Sequence, residues 1–162
     1  VKALIIYDSV FGNTEKIARA IGGALGSADE IALMRAGEVR SNPFAGLDLL
    51  IVGSPTRGFQ PTEATKNLLG SLPSITGVRT AAFDTRMAFT GIQKFAMNVF
   101  AKPFGYSEGY ASTPIAQSLN EKGGISVVPP EGFFVKASEG PLKEGELERA
   151  AEWARQILEK MG

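Results

Sequence analysis

A chain of 162 residues with 44% hydrophobic and 21% charged side chains is expected to form one domain over residues 1–162 with a core of ordinary size. Lys plus Arg equals Asp plus Glu at 17 each, so no net field recruits nucleic acid or an anionic membrane. The lack of both cysteine and histidine removes disulfides, thiolate nucleophiles, Cys/His zinc sites, His or Cys haem ligation and every Ser-His-Asp device, so any redox or transfer chemistry is expected to come from a borrowed cofactor. No apolar run reaches membrane-spanning length and Val1 leads directly into a strand, which makes a cytoplasmic location without membrane insertion the expectation.

The run Ala3 to Tyr7 reads as a strand buried on both faces, and Ile17, Ile21 and Leu25 then recur at helical spacing. Asp8 to Thr14 is therefore a strand-to-helix turn. Ser9 and Thr14 bring hydroxyls, Asn13 an amide, and Gly12 permits close backbone approach, where the first helical N–H groups are unpaired and the helix dipole is positive. A phosphate monoester fits such a turn without any Lys or Arg. Taken alone, Asn13 or Thr14 reads equally well as an ordinary N-cap.

The first helix fades into Gly22, Gly23 and Gly26, and Ala28 to Met34 gives a second strand. Arg35 to Gly46 reads as a loop or a poor helix. Leu47 to Val52 is another fully apolar strand, ending in Gly53-Ser54-Pro55-Thr56-Arg57-Gly58-Phe59. A helix starts at Gln60-Pro61-Thr62 and turns Ala64, Leu68, Leu69 and Leu72 inward. Val78 to Phe83 is the next buried strand and opens onto Asp84-Thr85-Arg86-Met87. After an insert, Thr113-Pro114 marks a helix start, with Thr113 as cap and Pro114 at the first helical position. Ile125 to Val128 is a strand, broken at Pro129-Pro130 and resumed at Phe133 to Val135. The last helix carries the stripe Leu147, Ala150, Ala151, Ala154, Ile157, Leu158 and Met161, with Glu144, Glu146 and Glu148 at its positive end.

Strands alternating with helices predict an α/β three-layer sandwich around a five-stranded parallel sheet in the order 2-1-3-4-5. The ligand crevice of such a sheet lies at the carboxyl ends of the first and third strands, where the winding reverses. Three loops meet there: Asp8 to Thr14, Ser54 to Phe59, and the loop from Asp84. No G-x-x-x-x-G-K or G-x-G-x-x-G follows any strand, which disfavours a triphosphate or a dinucleotide. A phosphorylated receiver domain is excluded because the third strand closes in Gly53-Ser54 where that class needs an aspartate.

The segments Ser9-x-Phe11-Gly12-Asn13-Thr14, Gly53-Ser54-Pro55-Thr56-Arg57-Gly58 and Phe83-Asp84-Thr85-Arg86, at three separate strand ends, resemble the flavodoxins and flavodoxin-domain proteins that bind FMN. The tail, Pro130 to Val135 and Glu139 to Ala150, is similar to stand-alone bacterial and archaeal members, so the resemblance covers nearly the whole chain. It implies a flavodoxin-like fold in which Ser9, Val10, Phe11, Gly12, Asn13 and Thr14 wrap the FMN phosphate. Pro55, Thr56, Arg57, Gly58 and Phe59 would line one side of the isoalloxazine ring, and Asp84, Thr85 and Arg86 the other. Phe59 is the stacking candidate from the second loop, and Phe89, Phe104 and Tyr106 are those from the third.

The function implied is an electron carrier shuttling between redox partner proteins, which needs no acid or base of its own. The alternative is an FMN-dependent NAD(P)H:quinone reductase, with NAD(P)H and a quinone as small partners; a flavodoxin-like module without FMN is a third reading. Low-potential flavodoxins resembling this chain surround the flavin with carboxylates, whereas here Arg57 and Arg86 stand in the flavin loops. Either one close to the ring would stabilise the anionic reduced flavin by about 1 to 2 kcal/mol at an effective dielectric near 20, or roughly 40 to 90 mV. Pairing with Asp84 or Glu63, or exposure to solvent, would remove that effect. The apolar insert at residues 87–106 carries Phe89, Phe95, Phe100, Phe104 and Tyr106, with Lys94 and Lys102 its only charges. It must be covered, either by its own domain as a short helix, as a lid or quinone pocket at the flavin, or as a homodimer face.

Overall fold

Four largely apolar strands lie side by side, the central ones buried on both faces and the edge strand only in part. These are β1 (Ala3–Tyr7), β2 (Ile31–Arg35), β3 (Leu49–Pro55) and β4 (Arg79–Arg86), all parallel. β1 is buried at every position. Alternate residues face opposite layers: Ile5, Tyr7, Leu49 and Ile51 point to one core, Leu4, Ile6, Leu50 and Val52 to the other. The computed structural model describes residues 1–27, 30–88 and 110–162. The insert expectation at 87–106 therefore falls, but for Met87 and Ala88, outside the described residues.

The sheet order is β2-β1-β3-β4-β5, the predicted 2-1-3-4-5. Its last position is filled by two short pieces, β5 (Ile125–Ser126) and β6 (Glu131–Phe134). Both pair in parallel with β4, β5 at Arg79 and Thr80 and β6 at Phe83 to Arg86, on the edge that β3 leaves open. Pro129 and Pro130 fall in the gap, where neither could donate to the ladder.

One layer is α1 (Asn13–Leu25) with the C-terminal α4 (Glu146–Met161); the other is α2 (Glu63–Ser71) with α3 (Ser112–Glu121). Between the sheet and the first pair, Phe83, Phe133 and Trp153 meet edge to face at centroid distances of 6.0–6.2 Å. Trp153 and Glu146 are buried positions of α4, while Leu147, expected on the inner stripe, is exposed. The Glu146 carboxylate accepts from Phe134 N at 2.7 Å and pairs with Arg149, which also donates to Gly132 O, so it fastens β6 to the helix rather than serving the dipole alone. Burial pushes its pKa up, but Arg149 and the Phe134 N–H outweigh this and leave it below the usual carboxylate value.

The segment after β2, expected as a loop or a poor helix, contains a single 3-10 turn at Ala36–Glu38. One local expectation shifts. The helix expected from Thr113-Pro114 begins earlier, at Ser112 with Ala111 in the cap position, because its N–H groups are satisfied from other elements: Ala111 N donates to Thr56 Oγ1 at 3.0 Å and Ser112 N to Asp84 Oδ2 at 2.9 Å. No described helix is long and apolar enough to cross a membrane.

Candidate functional site

The carboxyl ends of β1, β3, β4 and β6 all open at one end of the sheet, and a crevice of about 390 Å³ lies between the loops that leave them. Val10, Phe11, Asn13 and Thr14 come from the first loop, Pro55 to Phe59 from the second, and Thr85 and Arg86 from β4. Ser9, Gly12 and Asp84, expected to face the ligand, do not line it. Met87, the end of the Asp84-to-Met87 segment expected beside the ring, lines it too, as do three residues that sequence reasoning missed: Tyr110, Val135 and Ser138. Val135 and Ser138 had a readable signal, since they follow a strand whose carboxyl end shares this edge; Tyr110 had one in directly preceding the α3 start.

The first loop is held open by glycine. Gly12 takes φ +92°, a left-handed conformation that L side chains resist, and α1 starts immediately after it with no side-chain cap. Neither Asn13 nor Thr14 is the N-cap; both lie within the helix. The Ser9 hydroxyl accepts from Gly12 N at 3.0 Å and from Glu15 N at 3.4 Å, so it shapes the turn from behind. Among the described residues the N–H groups of Val10, Phe11, Asn13 and Thr14 have no acceptor, at the positive end of a 13-residue helix. That donor set suits an anion.

A second set of contacts braces this turn. Tyr7 Oη donates to Glu15 Oε1 at 2.9 Å, and Arg35 donates to the same oxygen at 3.1 Å and to Ser9 O at 3.2 Å. The Tyr7 hydrogen bond, with help from Arg35, holds the Glu15 pKa below the usual carboxylate value despite burial; burial and the adjacent Glu15 push Tyr7 up. Further along, Asn13 Nδ2 donates to Glu139 O at 3.2 Å, and the Thr14 and Thr85 hydroxyls meet at 2.7 Å, which ties the first loop to β4 and to the segment after β6.

The second loop is a two-residue turn. Arg57 N donates to Gln60 O at 2.8 Å and Gln60 N to Arg57 O at 3.1 Å, with Gly58 at φ +54° and Phe59 at φ +67°. An aromatic residue in that conformation carries strain, and Phe59 is 42% exposed at the crevice. Val10, Phe11 and Met87 are also large apolar residues exposed at the same rim.

The two arginines diverge. Arg86 donates to both Asp84 oxygens, Nε to Oδ1 at 2.6 Å and an NH2 nitrogen to Oδ2 at 2.7 Å, and its guanidinium lies 3.5 Å from the Tyr110 ring centroid. Asp84 is fully buried, so the pair is a neutral unit and Asp84 sits behind the crevice wall. Arg57 lies over Phe11, 5.4 Å from its centroid, and no described carboxylate is within 4.0 Å of it.

Sheet order, layers and crevice define a flavodoxin-like α/β fold. The chain is similar to a flavodoxin from the domain Archaea, at 21% identity and a TM-score of 0.72 over 99% of each chain. It is similar to Flavodoxin 2 from Bacillus cereus, at 24% identity and 0.72 over 99% of each. A flavodoxin, WrbA-like protein from Agrobacterium tumefaciens aligns less well, at 17% identity and 0.64 over 98% of this chain and 96% of that one. No family model and no curated protein matches the sequence.

Proposed function

We propose that this crevice binds FMN and that the protein carries electrons, one at a time, between redox partner proteins. The observation that carries the reading is the adjacency of two unlike surfaces. Unpaired N–H groups at the start of α1 suit a phosphate dianion, and beside them the exposed apolar side chains Val10, Phe11, Phe59 and Met87 suit a planar ring. Bound FMN would supply reversible one- and two-electron chemistry; the chain supplies binding, orientation and exclusion of water.

In this reading the backbone from Val10 to Thr14 holds the phosphate, with Gly12 and Ser9 setting the loop shape. Phe59 and the Pro55–Thr56–Arg57–Gly58 turn flank one side of the ring, and Thr85, Arg86, Met87 and Tyr110 the other, with Asp84 acting through Arg86. Flavodoxins among the similar structures support this assignment by fold.

A reductase using NAD(P)H and a quinone is favoured by one feature, a second hollow of about 410 Å³ that shares Phe59 and Tyr110 with the crevice. Anaerobic reduction followed by absorption separates the two. A carrier takes up its electrons in two resolved one-electron steps and leaves NADPH unoxidised. Rapid NADPH oxidation in the presence of a quinone contradicts the carrier.

A further inference from the structure

We infer that Arg57 alone among the crevice arginines raises the reduction potential of the flavin; the inference rests on the FMN reading above. Both arginines line the same crevice, but the structure cancels one of them. Arg86 is closed into a two-point ion pair with fully buried Asp84, its NH2 nitrogen also reaches Ser112 Oγ at 3.2 Å, and the pair presents no net charge. Arg57 keeps its charge. Among the described residues that line the crevice none is Asp or Glu, so with Arg86 neutralised these residues carry a net excess of one cation.

Position matters as much as charge. A long exposed side chain ordinarily spends its time in solvent, where a charge is screened. Here the backbone of Arg57 is pinned by both hydrogen bonds to Gln60, and its guanidinium is laid on the Phe11 ring, which holds it across the mouth toward the first loop. A contact with a ring face attracts the cation without neutralising it. Reduction adds negative charge to a bound flavin, and a fixed guanidinium at the crevice favours whichever bound form carries more of it. By linkage, the ratio of affinities for reduced and oxidised FMN is the shift in potential.

The test compares affinities for oxidised FMN and for dithionite-reduced FMN under anaerobic conditions in the wild-type protein, R57Q, R57K and R155Q. Arg155 is an exposed α4 residue paired with Glu152, outside the crevice, and serves as the matched loss of one charge. R57Q is expected to weaken binding of reduced FMN about tenfold more than of oxidised FMN, equivalent to about 30 mV for the two-electron couple. R57K should retain most of the wild-type ratio, R155Q all of it, and the R57Q effect should shrink as salt is raised. A ratio in R57Q within twofold of wild type, or an equal change in R155Q, overturns the inference while the cofactor reading stands. Failure of the wild-type protein to bind FMN overturns both, before any variant is compared.

Discussion

Asp84 and Arg86, two residues apart on β4, close a two-point ion pair in which the carboxylate is fully buried and also receives the Ser112 N–H. One side chain thus neutralises a crevice cation and caps α3. Replacing Asp84 by Asn would leave the Arg86 charge unpaired in a mostly buried site. A loss of about 3–5 kcal/mol of stability is expected in urea unfolding. A loss under about 1 kcal/mol would show that other groups satisfy both Arg86 and the helix.

Gly53 and Phe83 are register partners across β3 and β4, and a Cβ built on Gly53 overlaps the Phe83 ring. Phe83 cannot yield, since Phe133 and Trp153 enclose it. Gly53→Ala should cost about 2–3 kcal/mol by overpacking, measured by thermal or urea unfolding. Stability equal to wild type would mean the aromatic cluster repacks freely.

Phe59 sets stability against binding. Its φ of +67° costs an L residue about 1–2 kcal/mol, while glycine takes that conformation without strain but enters folding with more freedom to lose. Phe59→Gly should therefore leave stability within about 1 kcal/mol of wild type. FMN affinity should fall clearly through loss of the ring wall. Intact affinity, measured by fluorescence titration, would remove Phe59 from the site.

Gly12→Val tests the first loop separately from its space. A Cβ there meets nothing within 4 Å, so the change acts through the φ of +92° that valine resists. The turn should refold around the new residue and disperse the donors at the start of α1, with FMN binding lost and a stability cost of about 1–2 kcal/mol. Unchanged FMN affinity would refute the phosphate assignment.

The Tyr7–Glu15–Arg35 brace should show in the pH dependence. The pKa of Glu15 is lowered in the folded state, so its contribution is fully present above the ordinary value near 4.5 and is lost as pH falls through the lower folded value. The stability difference between wild type and Glu15→Gln should thus be constant near neutrality and shrink below about pH 4.5. Tyr7 is raised, so its share persists to alkaline pH and is lost only as pH rises through the folded value above 10.0. A difference that grows on acidification would contradict the assignment.

The sheet was legible because its strands are continuous apolar runs, and the strand order follows from alternating strands with right-handed crossovers. The crevice was legible for the same reason, since the winding reverses between β1 and β3. What the sequence hid was tertiary. Nothing local shows that Thr56 and Asp84 cap α3, and so the Thr113-Pro114 signal placed the start too late. Leu147 fits the α4 periodicity yet faces solvent, while Trp153 and the charged Glu146 take the buried places. Arg57 and Arg86 look alike as residues in loops; only the position of Asp84 one layer behind the wall tells them apart.

The most direct test of the account is a paired titration of the purified protein with FMN and with riboflavin, which is the same ring without the phosphate. Stoichiometric FMN binding with riboflavin weaker by about a hundredfold or more is expected if the α1 N–H groups hold the phosphate while the Phe59 side of the crevice holds the ring. Equal affinity for the two, or binding of neither, would contradict it.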